Sequence, residues 1–117
     1  QYLDAAAKAE LERSSPEYRA ARKRLEAEYN DRLATRQREI EAAAYKTMRQ
    51  NVILDSVDKR NIAAEAAERA NRDLYANRIS KADLADTISR YEREASEKVR
   101  DSKASNALFN AMIRGEL

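Results

Sequence analysis

The chain has 117 residues, enough for one domain or part of one. Hydrophobic residues make up 43% of it, but much of that is alanine, with one phenylalanine and no tryptophan, so the composition excludes a thick globular core and favours thin seams between closely approaching helices. Charged residues reach 38%, as in coiled coils and long-helix proteins, and 23 basic against 21 acidic residues leave an interspersed net charge of +2 that creates no strong field toward nucleic acid.

The first element expected is a short helix over residues 2–13, with Leu3, Ala6, Ala7 and Leu11 at helical spacing. Ser14-Ser15-Pro16-Glu17 interrupts it. Ser15 is placed to cap, Pro16 suits the first helical position, and Glu17 complements the positive end of the helix dipole. Between Pro16 and Gly115, the only residues of their kinds, nothing forces the backbone out of a helix. A long helix is therefore expected over 16–76, carrying the apolar row Tyr18, Ala21, Leu25, Tyr29 and Leu33, resumed at Ile40, Ala44, Met48 and Val52. The row lapses at Thr35–Arg38. Val52-Ile53-Leu54 is the one aliphatic cluster, expected to touch several helices, and Val57 continues the seam.

Asn77-Arg78-Ile79-Ser80 reads as a turn. Asparagine tolerates the left-handed conformation that ends helices, and Ser80 can cap a new one with Asp83 three residues on. A return helix over 81–114 then carries Leu84, Ile88, Tyr91, Ala95 and Val99 in coiled-coil-like steps, and Gly115 stops it. The fold expected is all-α: a short helix, then a long antiparallel helical hairpin with its tip at 77–80. At 1.5 Å per residue the arms would be about 90 Å and about 50 Å long, so either residues 16–43 need another partner or the long helix breaks near Thr35–Arg38.

The chemistry available is narrow. Without histidine or cysteine, the usual metal clusters, disulfides and nucleophile–base pairs cannot be built, and no cofactor is expected. The carboxylate pairs Asp55/Asp58, Glu65/Glu68 and Asp83/Asp86 share helix faces and read as solvated surface charge rather than an acid–base site. One terminal glycine cannot form a phosphate-binding loop. Arg19, Arg22, Lys23 and Arg24 form the densest basic patch, but Glu17, Glu26 and Glu28 beside it suit ion pairing within the helix. Tyr18, Tyr29, Tyr45, Tyr75 and Tyr91 are expected to pack their rings at seam edges with wet hydroxyls. Catalysis is not expected. No run approaches the ~20 apolar residues of a membrane-spanning helix. The start at Gln1 rather than Met suggests a processed or trimmed product.

Three segments resemble the TolC-type outer-membrane efflux channel family. Leu3-Asp4-Ala5-Ala6, Leu11 and Ser14–Arg22 resemble its short opening helix and "NPELRAAR"-like helix start. Leu74–Leu84 resembles its "RYxxGxxSxxDL" hairpin tip, and Ala107–Leu117 its "ALNxLLGxxL" helix end. The chain departs from the family in having Asn77 or Arg78 where a tip glycine is usual, and in a polar, helical stretch over Tyr29–Ile40 where a two-stranded barrel hairpin belongs. The resemblance implies a trimeric periplasmic tunnel whose tip meets a periplasmic adaptor protein. Carried across, the docking residues are Asn77, Arg78, Ile79, Ser80, Asp83 and Leu84, and the location is the periplasm or cell envelope.

The leading expectation is thus a non-enzymatic, homo-oligomeric structural protein of this channel-like kind. A helical virion or scaffold protein held by neighbours in a larger assembly is the alternative, and a helical nucleic-acid-binding module using the Arg19–Arg24 patch is the third. The helix seam expected in each case runs through Leu25, Leu33, Ile40, Met48, Val52, Val57, Leu84, Ile88, Tyr91 and Val99.

Overall fold

The computed structural model describes residues 2–117, with side chains from Asp4 onward. The side chain of Leu3, expected on the apolar face of the first helix, lies outside the described residues. The chain is all-α: α1 (Tyr2–Ser14), α2 (Pro16–Gln50), α3 (Ser56–Tyr75), a 3₁₀ turn (Lys81–Asp83) and α4 (Leu84–Ile113). Residues 1–40 and 41–117 form two compact units.

In the first unit, α2 starts where the sequence signals it. The Tyr18 amide donates to Ser15 Oγ at 3.1 Å, and the Arg19 amide closes the first turn on the Ser15 carbonyl at 3.1 Å. Pro16 occupies the first helical position, where no donor is needed. The helix continues through Thr35–Arg38, so the break expected there is corrected. A lapse in the apolar row removes burial, not helicity, because Arg and Gln are good helix formers. Among the described residues, none from 4 to 40 is buried.

The long helix ends instead at Gln50, and residues 51–55 separate it from α3, which corrects the expected helix over 16–76. Three causes combine, two local and one from α4. Val52 and Ile53 are β-branched and lose side-chain freedom in a helix. Asp55 and Asp58 form a reciprocal capping box: the Asp58 amide donates to Asp55 Oδ1 at 2.8 Å, and the Asp55 amide to Asp58 Oδ2 at 3.1 Å. The freed carbonyls are also claimed from α4, by the Arg100 guanidinium on Val52 O at 3.2 Å and Lys103 Nζ on Ile53 O at 3.4 Å. Within the aliphatic cluster Ile53 is 82% exposed, while Val52 and Leu54 are half-buried.

In the second unit α3 and α4 are antiparallel. Asp73, Arg69 and Asp58 of α3 meet Tyr91, Glu94 and Lys103 of α4, partners rising in number along one helix as they fall along the other. The contact is built on Ile62, Ala66 and Ala70 of α3 and on Thr87, Tyr91 and Ala95 of α4, all buried. Ala66, Ala70 and Tyr91 form one cluster, with Leu84 and Ile88 packed against it. Alanine buries little area itself but lets two backbones approach closely. The last turns of α2 also lie against α4: Tyr45 Oη donates to Asp101 at 2.9 Å, and Arg49 pairs with Asp101 at 2.7 Å and with Glu97.

The expected seam is accordingly redrawn. Tyr91 is buried, and Met48, Val52, Leu84, Ile88 and Val99 are half-buried. Leu25, Leu33, Ile40 and Val57 are exposed and belong to no seam among the described residues. The first three lie in the unit with no buried described residue, and Val57 sits in the first turn of α3, beside the break.

Candidate docking surface at the hairpin tip

The tip is fixed by backbone chemistry. α3 ends in a Schellman arrangement: Asn77 adopts φ 56°, its amide donates to Leu74 O at 3.1 Å, and the Arg78 amide donates to Asp73 O at 2.9 Å. Asn77, not Arg78, therefore holds the left-handed position that a glycine ordinarily takes. Asparagine tolerates it because its short polar side chain fits that region better than most. Ser80 then stands in extended backbone and gives both its amide (3.3 Å) and its hydroxyl (2.8 Å) to the Asp83 carboxylate. Those two bonds, the hydroxyl's first, hold the Asp83 carboxyl below the usual carboxylate range.

Beneath the tip a polar ladder locks the two helices. The Tyr91 hydroxyl donates to the Asp73 carboxylate, which also pairs with Arg78 at 3.6 Å. The Arg69 guanidinium lies 3.8 Å from the Tyr91 ring centroid and pairs with Glu94 at 2.8 Å. Tyr91 thus departs from the expected wet hydroxyl, while Tyr75, at 89% exposed, departs from the expected packed ring.

The tip residues named from the sequence divide into two groups. Asn77, Ile79 and Ser80 line a groove of about 620 Å³. Asp83 and Leu84 serve the fold, one bonding Ser80 and the other packing on the Ala66–Ala70–Tyr91 cluster. Arg78 is exposed and tethered to Asp73. The groove is completed by Asn71, Leu74 and Tyr75 from the end of α3 and by Lys81. None of those four is among the docking residues expected from the sequence, although Leu74 and Tyr75 sit next to the turn, where a helix end leaves apolar side chains uncovered. The groove is open, with an apolar wall, hydroxyl and amide groups and one lysine.

The other carboxylate pairs take structural or surface places. Asp55 and Asp58 cap α3, and Lys103 pairs with Asp58 and approaches Asp55 at 3.9 Å. The hydrogen bond from Lys103 is the main reason the Asp58 carboxyl is held low. Glu65, Glu68 and Asp86 are exposed. Among the described residues no group of acidic side chains is arranged to hold a metal ion, and no helix is long and apolar enough to cross a membrane. In the basic patch, Arg22 pairs with Glu26 at 3.1 Å within the helix. Comparison with protein-family models, curated proteins and solved structures finds no match to this chain.

Proposed function

We propose that this chain is a non-enzymatic assembly module that packs through α2 against other helices and presents the α3–α4 tip for docking. The observation that carries the reading is the apolar row of α2. Leu25, Tyr29 and Leu33 share one helix face, remain about half exposed or more, and have no buried described residue in their unit. Helices in proteins gain most of their stability from packing such a face, so this one calls for an outside partner.

The finer form of the proposal is a segment resembling the periplasmic helical tunnel of an outer-membrane export channel, its tip meeting an adaptor protein. What supports it is the tip itself: a left-handed residue stands where that family has its glycine, followed by a capping serine and an open groove. Sedimentation velocity across a concentration series tests the assembly reading. The intact chain should associate, and Leu25→Ser with Leu33→Ser should abolish association without loss of helicity. A chain that stays monomeric at the highest concentrations reached would sink it.

A further inference from the structure

Between α2 and α3 the chain doubles back along α4. Tyr45 meets Asp101, and Arg49, one turn on, reaches both Asp101 and Glu97. The next residues retrace that path. Val52 O accepts from Arg100, Ile53 O accepts from Lys103, and Asp58 in the first turn of α3 pairs with Lys103. The retreat from Glu97 to Lys103 covers more than one turn of α4. Only then does α3 set off in the direction α2 had, with Arg69 at Glu94 and Asp73 at Tyr91.

Charged side chains hold this retreat open. A helix break leaves amides and carbonyls without helical partners, and one continuous helix satisfies them all along its length. Residues 51–55 contain no glycine or proline, and β-branched Val52 and Ile53 lower helix propensity only slightly. What replaces the missing helical bonds is the reciprocal capping of Asp55 and Asp58, together with Arg100 and Lys103 on the two carbonyls. Two of these four side chains belong to α4, so α4 supplies half of what keeps α2 and α3 apart.

We infer that residues 51–55 are a charge-held joint, which closes into one continuous helix over 41–75 when Asp55, Asp58, Arg100 and Lys103 release it. With the α3–α4 seam kept in register, closing shifts the end of α2 by about 20 Å along α4, to its C-terminal end. Tyr45 and Arg49 then leave Asp101 and Glu97. The joint thus sets whether the last turns of α2 are docked on α4 or free. Asp55 is exposed, and Asp58, Arg100 and Lys103 are half-buried, so salt reaches these bonds and ionic strength is the input to which the joint responds.

The chain has no cysteine, so spin labels on introduced cysteines report the joint without background. Labels at Ala43→Cys and Glu68→Cys stand about 15 Å apart along the axis when the chain doubles back, and about 38 Å apart in a continuous helix. Double electron–electron resonance on the full chain, diluted with unlabelled chain, separates the two populations. Arg100→Met with Lys103→Met should enlarge the long-distance population at least threefold, and so should Asp55→Ala with Asp58→Ala. A second label pair, Glu68→Cys with Arg93→Cys across the α3–α4 seam, should keep its distance in both variants. Labels that stay at the short distance in both variants would overturn the joint. Loss of the seam distance would overturn it too, because the four charges would then be holding the whole unit. Raising salt from about 0.05 M to about 1 M should move the unsubstituted joint the same way. If the variants shift and salt does not, the joint stands and ionic strength is not its input.

Discussion

Replacing Ala70 with leucine tests whether the α3–α4 seam is as close as described. Ala70 has no exposed surface and belongs to the cluster with Ala66 and Tyr91. Leucine adds three carbons where no room exists, and overpacking of this kind costs about 1–3 kcal/mol. In a cooperative unit the size of residues 41–117, each kcal/mol lowers the melting temperature by about 4–8 °C. The substitution should therefore lower melting by roughly 5–20 °C. Ala64 on the same helix is exposed, and alanine and leucine differ little in helix propensity, so Ala64→Leu should change stability by no more than about 0.5 kcal/mol. Thermal melts followed by circular dichroism on the two variants make the comparison. Equal melting of both would show that α3 and α4 do not meet at Ala70, and the antiparallel seam would have to be abandoned.

Other outcomes follow from the tip and the charged clamps. Asn77→Gly should leave stability unchanged or raise it slightly, whereas Asn77→Val should cost about 1–2 kcal/mol, since a β-branched residue is strained at φ 56°; equal urea midpoints would argue against the left-handed tip. Asp58, Asp83 and Asp101 are each held below the usual carboxylate range, chiefly by hydrogen bonds from Lys103, Ser80 and Arg49 respectively. A carboxyl with a lowered folded-state pKa binds protons more tightly when unfolded, so its stabilisation is present at neutral pH and fades as pH falls through about 4 and below. Melting temperature should hold steady from neutral to about pH 5 and then drop, with Lys103→Met reducing the drop; a rise on acidification would contradict the clamps. A photo-reactive residue at Tyr75 should cross-link a periplasmic adaptor in cells that express one, and labelling confined to cytoplasmic proteins would remove the channel-like form of the proposal.

The two ends of the hairpin were legible because capping is local chemistry written in a few adjacent residues. Ser15-Pro16, Asn77 and Gly115 each act where the residue type places them: Gly115 adopts φ 69°, and its neighbour's amide closes on Ala111 O at 2.9 Å. The break at 51–55 was equally local, since Asp55 and Asp58 stand three apart ahead of Ile62 and Ala66, the spacing of a capping box. In the sequence this pair reads as surface charge, because no glycine or proline marks the break and because Arg100 and Lys103, which secure the freed carbonyls, lie about half the chain away. The α2 face differs from the expected seam for another reason: Leu25, Leu33 and Ile40 are exposed. Periodicity reveals that a face is apolar but not whether this chain covers it. At the tip, the turn residues are legible, while the part that Asn71, Leu74, Tyr75 and Lys81 take in the groove is not, because a groove is formed by neighbours that no spacing rule singles out.

The brevity of the tip bears on how the hairpin forms. Residues 77–80 span the whole reversal, so the loop closed at the outset is short and its entropic cost is small. Contacts then accrue outward from the turn: Tyr91 with Asp73, next Glu94 with Arg69, and Lys103 with Asp58 only after most of both helices are laid down. Pairing of α4 with Tyr45 and Arg49 joins residues about fifty positions apart and comes last. The expected order is a zipper that starts at Asn77 and runs toward residue 51, so amide exchange should open the α2–α4 contact first and the helix ends beside the tip last.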